Sequence, residues 1–349
     1  MKLILMTILF CLQATAFCTV QHAYVTELGS KSVAIIDVDR NTVQKIFGFS
    51  GPHTIRVTFD GKSAYVGDND NKIYKIDCLK HTVSKIATLS GHPISFCIVP
   101  DASYLYCATQ NNTVAIINLD TQKLVKEIAC LDGPQDIRCT IDGKFVYATN
   151  KGNGTISVID TESKQLATTI TGFNYPMGIT FELNGEYAYV CDTHDNLVYV
   201  VRLSDNMIVD KILGFSGPSY IAMHPNKTVA YISNSGDDMV SILRLSDNFI
   251  IGSFSIPRPT AICVTLDGLY LFVASSFNDV FKISTLDNSI NSIDSELLIP
   301  SNICISNNNG PADTVNAWQV ITDPSNPYNQ ISWEKPAGNP FQYRVFRDI

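Results

Sequence analysis

Pro52-His53-Thr54-Ile55-Arg56-Val57-Thr58-Phe59-Asp60-Gly61-Lys62-Ser63-Ala64-Tyr65-Val66-Gly67-Asp68 reads as two short β-prone runs joined by a tight turn. The Asp-Gly step supplies the chemistry of a short hairpin, and it returns at Asp142-Gly143-Lys144 and Asp267-Gly268. A proline opens the first run and an aromatic follows it 13 residues later in the second. Both markers repeat along the chain. Pro52, Pro93, Pro134, Pro176, Pro218, Pro259 and Pro300 are separated by 41, 41, 42, 42, 41 and 41 residues. Tyr24, Tyr65, Tyr106, Tyr147, Tyr189, Tyr231 and Phe272 are separated by 41, 41, 41, 42, 42 and 41. Each aromatic run is followed by a polar loop, a strand such as Val33-Ala34-Ile35-Ile36-Asp37, a turn, and a further strand leading to the next proline. Four strands in about 41 residues make one propeller blade. A proline at the start of the innermost strand fits, because one side of that strand has no ladder partner.

The phase of the markers predicts how the ring closes. Thirteen residues past Pro300 stands Asp313 rather than an aromatic, and Tyr24 has no proline before it. The array starts on the second strand of a blade and ends on the first. A closed ring then requires the strand around Asn302–Ser306 to pair beside Ala23–Glu27, leaving neither chain end as a free edge. The expected fold is all-β, a seven-bladed propeller of four-stranded antiparallel blades over residues 22–310.

Composition agrees with many short strands and tight turns: charged residues are only 17%, and Asn, Asp, Ser and Gly recur in clusters. Met1-Lys2, an apolar run from Leu3 to Leu12 and the small-residue pattern Ala14-Thr15-Ala16 read as a signal peptide over residues 1–16. The run is too short for the roughly 20 residues of a membrane-spanning helix. No later stretch is apolar enough to span, so the mature chain is expected to be exported: secreted, cell-surface or periplasmic. Net charge is −8, and loss of Lys2 with the leader makes it −9. No basic cluster offsets this, which disfavours nucleic acid as a partner.

Of the ten cysteines, Cys11 falls in the leader and the other nine cannot all pair. Cys97, Cys263 and Cys304 share one repeat position, where other units carry Arg, Thr or Ala. That spacing favours buried thiols acting as small hydrophobes, with one or two local disulfides left open. No CxxC or Cys/His metal spacing occurs, and no cofactor is expected.

Ala23-Tyr24-Val25-Thr26, together with Val158-Ile159-Asp160-Thr161 and Ile35-Ile36-Asp37, resembles the YVTN family of β-propeller repeats over all seven units. The fifth and sixth units depart from the family's Ile-Asp step with Val201-Arg202 and Leu243-Arg244. The resemblance implies a bacterial exporter, in which the Asn-X-Ser/Thr matches at Asn111, Asn153 and Asn226 carry no meaning. It says little about activity, because propellers host many.

Periodicity stops at Pro311. Residues 311–328 read as a linker. Asn329-Gln330-Ile331-Ser332-Trp333-Glu334-Lys335-Pro336, with Gln342-Tyr343-Arg344-Val345-Phe346-Arg347-Asp348, is similar to the second and third strands of a fibronectin type III domain. So small a part of a sandwich cannot bury Trp333 by itself. The segment 329–349 is either a truncated domain or a pair of strands that dock on the propeller.

A propeller places ligand sites at one mouth of its channel. The positions just after each proline are His53, Ile94, Gln135, Met177, Ser219, Thr260 and Ser301, then Thr54, Ser95, Asp136, Gly178, Tyr220, Ala261 and Asn302. One histidine and one carboxylate among fourteen positions are thin for acid–base catalysis or for holding a metal, so no catalytic residue is assigned. Arg56 and Arg138 share a position two blades apart, as channel residues for an anion or as paired structural groups. The loops between second and third strands carry Glu27, Asp68, Asp70, Asp192, Asp195, Asp237 and Asp238, read as solvated turns or as an acidic rim for a basic partner. Their spacing does not match an EF-hand. His53, His92, Asp136, Tyr175, Tyr220 and Arg258 are further partner-binding candidates. The leading expectation is a monomeric, non-enzymatic interaction scaffold for a protein or surface glycan. The alternative is a lactonase-type hydrolase with its site in the channel.

Overall fold

The computed structural model describes residues 21–226, 228–293, 297–298 and 300–307, and the backbone of two further strands at 330–333 and 341–344. The leader (1–16) and the linker (311–328) lie outside these residues, as does most of segment 329–349. Strands β1 (Gln21–Glu27), β2 (Ser32–Asp37) and β3 (Val43–Phe47) come first. Six complete four-stranded units follow, spanning Pro52–Thr88, Pro93–Ala129, Pro134–Thr171, Pro176–Leu213, Pro218–Ser255 and Pro259–Ser292. Their innermost strands are β4 (Pro52–Val57), β8 (Pro93–Ile98), β12 (Pro134–Cys139), β16 (Pro176–Phe181), β20 (Pro218–Met223) and β24 (Pro259–Val264). Last comes β28 (Pro300–Asn307), which pairs antiparallel with β1 and gives a sheet ordered β28-β1-β2-β3. The protein is therefore a seven-bladed β-propeller, with blade I built from both ends of the chain and blades II–VII following in order.

Closure occurs in the register that the markers imply: Tyr24 faces Cys304 and Val25 faces Ile303. Blade I is also tied sideways to blade VII. Gln21 Nε2 donates to Asp267 Oδ2 at 2.7 Å, and the buried Lys282 ammonium donates to Val38 O and Asn41 Oδ1. Each innermost strand contacts the next around the ring, including β24 with β28 and β28 with β4.

Local chemistry explains the repeat. Every innermost strand begins with its proline opposite the last residue of the second strand, as in Pro52 with Asp68, and a register shift follows at once. The turns after the second and third strands each need one residue in the left-handed region. Asn71, Asn112, Asn196 and Asn278 supply it in the first kind, and Asn41, Asn206, Asn248 and Asn288 in the second. Asn tolerates this conformation better than other non-glycine residues, which accounts for the Asn-rich loops.

The apolar core is divided into layers between blades rather than gathered in one centre. Tyr24, Ile35 and Phe49 of blade I pack on Ile55, Val66 and Ile76 of blade II, and Ala23, Val25 and Ile36 pack on Phe272, Ala274 and Val280 of blade VII. The marker aromatics lie in these layers, and their hydroxyls reach the following blade. Tyr147 Oη donates to Asn206 Oδ1 at 2.7 Å, Tyr189 Oη to Asn248 Oδ1 at 3.1 Å, and Tyr106 Oη to Thr161 O at 3.4 Å. A second stitch runs nearer the axis, where Thr26, Thr149 and Ser233 donate to the carbonyls of His53, Met177 and Thr260 in the next blade. Among the described residues no helix is long and apolar enough to cross a membrane, and eight cysteines are free thiols.

These contacts set a graded expectation for Tyr147. Tyr147→Phe keeps the buried ring and loses the bond to Asn206, costing about 1 kcal/mol. Tyr147→Ala also opens a cavity between blades IV and V and costs about 3–5 kcal/mol. Urea titration followed by circular dichroism checks both, and equal losses for the two variants would contradict the packing role of the ring.

Candidate functional site in the central channel

Side chains from non-adjacent blades meet on the propeller axis. Asp136, on the innermost strand of blade IV, is 2% exposed and takes Arg138 Nε on Oδ2 at 3.1 Å. Arg56 reaches over from blade II and brings Nη2 to 3.8 Å of Asp136 Oδ1. The same guanidinium donates through Nη1 to Asn302 Oδ1 of blade I at 3.1 Å and to Ile55 O at 2.9 Å. Ser95 of blade III completes the group, its hydroxyl donating to Asp136 Oδ1 at 2.8 Å. Backbone amides of Ile137 and Ile179 also donate to this carboxylate. Contacts that skip a blade are possible only across the channel, so the cluster lies within it.

The electrostatics are lopsided. Two guanidiniums share one carboxylate, and Arg56 Nε is buried with no partner. None of the described residues accepts a hydrogen bond from the terminal nitrogens of Arg138, which keeps 32% of its side chain exposed. Burial first, and the nearby Arg138 second, push the Arg56 pKa down, the sign of a cation short of compensation. Burial, reinforced by Asp136, pushes the Tyr220 phenol up to about 12, so it remains a neutral donor beside the cluster. Cys97, Cys263 and Cys304 share the repeat position of the two arginines. Burial raises all three thiols, Cys304 to about 12, and outweighs the guanidiniums that would lower them. They are packing groups and not nucleophiles.

The remaining candidates do not converge. Glu27, Asp68 and Asp192 are fully buried and thus lie beneath the rim rather than on it. Asp68 accepts from the Ser50 and Gly51 amides, and Asp192 from those of Asn174 and Tyr175. Glu27 takes the Ser32 hydroxyl and the Lys45 ammonium. These groups pin the loops that lead into each proline, and the sequence held the signal: the last residue of the second strand is polar in every blade, including Thr109, Asn150, Asn234 and Ser275. Asp70 is held by Lys72 and Tyr74, and Asp195 by Asn174 and Tyr199. Asp237 and Asp238 are exposed, with Asp238 accepting from the Arg258 amide while the Arg258 guanidinium lies over Phe277. Tyr175 stacks on His194 at 4.1 Å. Among the described residues no group of three or more His, Cys, Asp or Glu is placed to hold a metal ion.

His53 and His92 meet edge to face at 5.3 Å, where blades II and III open toward the loops. Burial lowers both pKa values, with His92 lowering His53 further. A groove of about 740 Å³ lies on the opposite face between blades IV and V, lined by Phe145, Phe181, Leu183 and Tyr187 among others. Its Arg202 is already taken by Asp205.

A family model described as "Lactonase, 7-bladed beta-propeller" matches residues 120–211, a stretch that contains Asp136 and Arg138. No curated protein matches the chain. Among solved structures, a functionally unknown protein from Desulfotomaculum acetoxidans superposes with TM-score 0.71 at 14% identity, covering 82% of this chain and 99% of that one. A putative 6-phosphogluconolactonase from Bacteroides fragilis gives 0.70 at 16% identity, covering 84% and 99%. Kuenenia stuttgartiensis hydrazine synthase gives 0.62 at 17%, covering 67% and 76%. At these identities the likeness is one of fold.

Two measurements probe the cluster and its surroundings. Asp136→Asn leaves two guanidiniums facing each other and is expected to cost about 3–5 kcal/mol in denaturant titration. Adding Arg56→Met should return part of that loss. The histidines give a pH dependence. Their folded pKa values lie below the unfolded value near 6.5, so the unfolded chain binds more protons as pH falls. Their contribution is present above that value and is lost below it. The melting temperature should fall between pH 7 and 5, and the His53→Gln/His92→Gln variant should fall less steeply.

Proposed function

We propose that this chain is an exported, monomeric binding propeller of YVTN type, whose channel receives a small carboxylate- or phosphate-bearing ligand and whose loops contact a protein or surface glycan. The carrying observation is the excess of guanidinium over carboxylate on the axis. Two positive charges against one negative leave a net positive centre between low-dielectric walls, in a chain whose net charge is −8. An arginine fork matches a carboxylate or phosphate, and the free end of Arg138 is the open half of such a pair. Asp136 is ill suited to act as a general base, because Ser95, Arg138 and two backbone amides already occupy its oxygens. Binding without turnover follows from that occupancy. The leader pattern of residues 1–16 supports a secreted, cell-surface or periplasmic location.

A second reading is favoured by one finding, the lactonase-model match over the segment that holds Asp136 and Arg138. In that reading the guanidiniums hold the anionic group of a sugar-acid lactone, and a neutral imidazole such as His53 serves as base.

Calorimetric titration with gluconate, 6-phosphogluconate, citrate and inorganic phosphate tests the first reading. One of these should bind, and Arg138→Gln should weaken it at least tenfold with the fold intact by circular dichroism. Hydrolysis of gluconolactone or its 6-phosphate, followed by pH-stat and abolished by Arg138→Gln, would replace it with the second. Neither binding nor hydrolysis would remove the channel from the functional account.

A further inference from the structure

The face opposite the loop mouth carries apolar residues that break the repeat at two turn positions, in blades II and VII. At the second residue past the third strand, blades I, III, IV, V and VI have Asp39, Asp120, Glu162, Ser204 and Ser246. Blades II and VII have Leu79 and Leu286 there, 67% and 83% exposed. At the residue before the second strand the other complete blades have Lys62, Ser103, Lys144, Glu186 and Thr228, whereas blade VII has the exposed Leu269. Phe59 of blade II and Leu266 of blade VII, both exposed, add apolar surface beside these leucines at a position that is also apolar in blades IV and V, as Ile141 and Leu183. Blades II and VII are the two neighbours of blade I.

Blade I is where the chain leaves the ring. Its innermost strand runs from Pro300 to Asn307 in the same sense as the other innermost strands, so it ends on this face, where other blades make their first-to-second-strand turn. Beyond it stand β29 (Gln330–Trp333) and β30 (Phe341–Arg344), an antiparallel hairpin. Its register sets Ile331 opposite Tyr343 and Trp333 opposite Phe341. Along the two strands the apolar Ile331, Trp333, Phe341 and Tyr343 alternate in sequence with the polar Gln330, Ser332, Gln342 and Arg344 at the two-residue period of a strand. A two-stranded hairpin is marginal in water by itself and needs a surface on which to bury its apolar residues. The connection from Asn307 to Gln330 can span about 70 Å when extended, ample to fold back.

We infer that the C-terminal hairpin docks on the apolar turns flanking its point of exit, its Ile331, Trp333, Phe341 and Tyr343 covering the Phe59–Leu79 side, the Leu266–Leu269–Leu286 side, or the bridge between them over blade I. The occupant of the patch is thus the chain itself. Leu79, Leu269 and Leu286 stand at positions that are polar in the other blades compared, and they belong to the two blades that flank the point of exit.

The chain's two tryptophans, Trp318 and Trp333, both lie in this tail, so tryptophan fluorescence reports on it alone. The test is the triple variant Leu79→Asp, Leu269→Lys, Leu286→Asp, which installs side-chain types that other blades already carry at these turns and should leave the circular dichroism unchanged. The full chain is expected to emit at shorter wavelength than a peptide of residues 308–349 and to be quenched by acrylamide at least threefold less. The triple variant should approach the peptide on both measures, and Trp318→Phe in each background isolates Trp333. Emission and quenching of the full chain equal to those of the peptide would overturn the inference. So would protection that survives the triple variant, or protection that disappears on dilution, which would assign the patch to a second copy.

Discussion

Blade I has its four strands only because the two ends of the chain pair with each other, and the ladder between residues 21–27 and 300–307 is that pair. Its partners are almost as far apart in sequence as the described propeller allows, so its closure carries a large loop entropy cost. The compensation lies on either side. The aromatic layer with blade II and the Phe272 layer with blade VII both include residues from β1, so blade I cannot separate without opening two apolar layers at once. Gln21, Asp267 and Lys282 add polar ties across the junction between blades VII and I.

On such a scaffold, repetition and its interruptions carry different information. Positions that recur in all blades serve the ring: the proline, the marker aromatic, the polar residue that ends the second strand, and the left-handed residue of the turns, most often Asn. Positions that break the pattern are where the molecule differs from a generic disc. Arg56, Asp136 and Arg138 break it inside the channel, and Leu79, Leu269 and Leu286 break it on the far face. The two sets are at different levels of the disc and involve different chemistry, charge in one and apolar surface in the other.

The fold was legible because its information is periodic. Seven prolines and seven aromatics in phase define blade number, strand order and the closing pair without any knowledge of contacts. The channel was legible only as residue types on rings. That Arg56 would cross from blade II to the carboxylate of blade IV depends on side-chain reach over the channel, which strand position does not encode. The acidic loop residues misled for a related reason. Glu27, Asp68 and Asp192 look like surface charges one by one, and only their shared place at the end of the second strand reveals that they satisfy backbone amides of the loop leading into the blade's proline.

A cluster of two arginines and one aspartate is a poor way to line a channel if stability alone is at issue. Taking Arg56 and Asp136 out of water costs several kcal/mol per ion, and well-packed apolar groups of similar volume often do as well or better. This propeller has such groups at hand, since the same ring position is Cys97, Ala222, Cys263 and Cys304 in other blades. A channel lined by those alone would be dry and neutral. With Arg56 and Arg138 in place it holds a preformed positive centre, one arm of which stays open to solvent, and Asp136 with its four donors fixes the position of both guanidiniums before any ligand arrives. An anion entering there meets donors whose ordering cost was met on folding, and this preorganisation is what the buried charges contribute beyond stability.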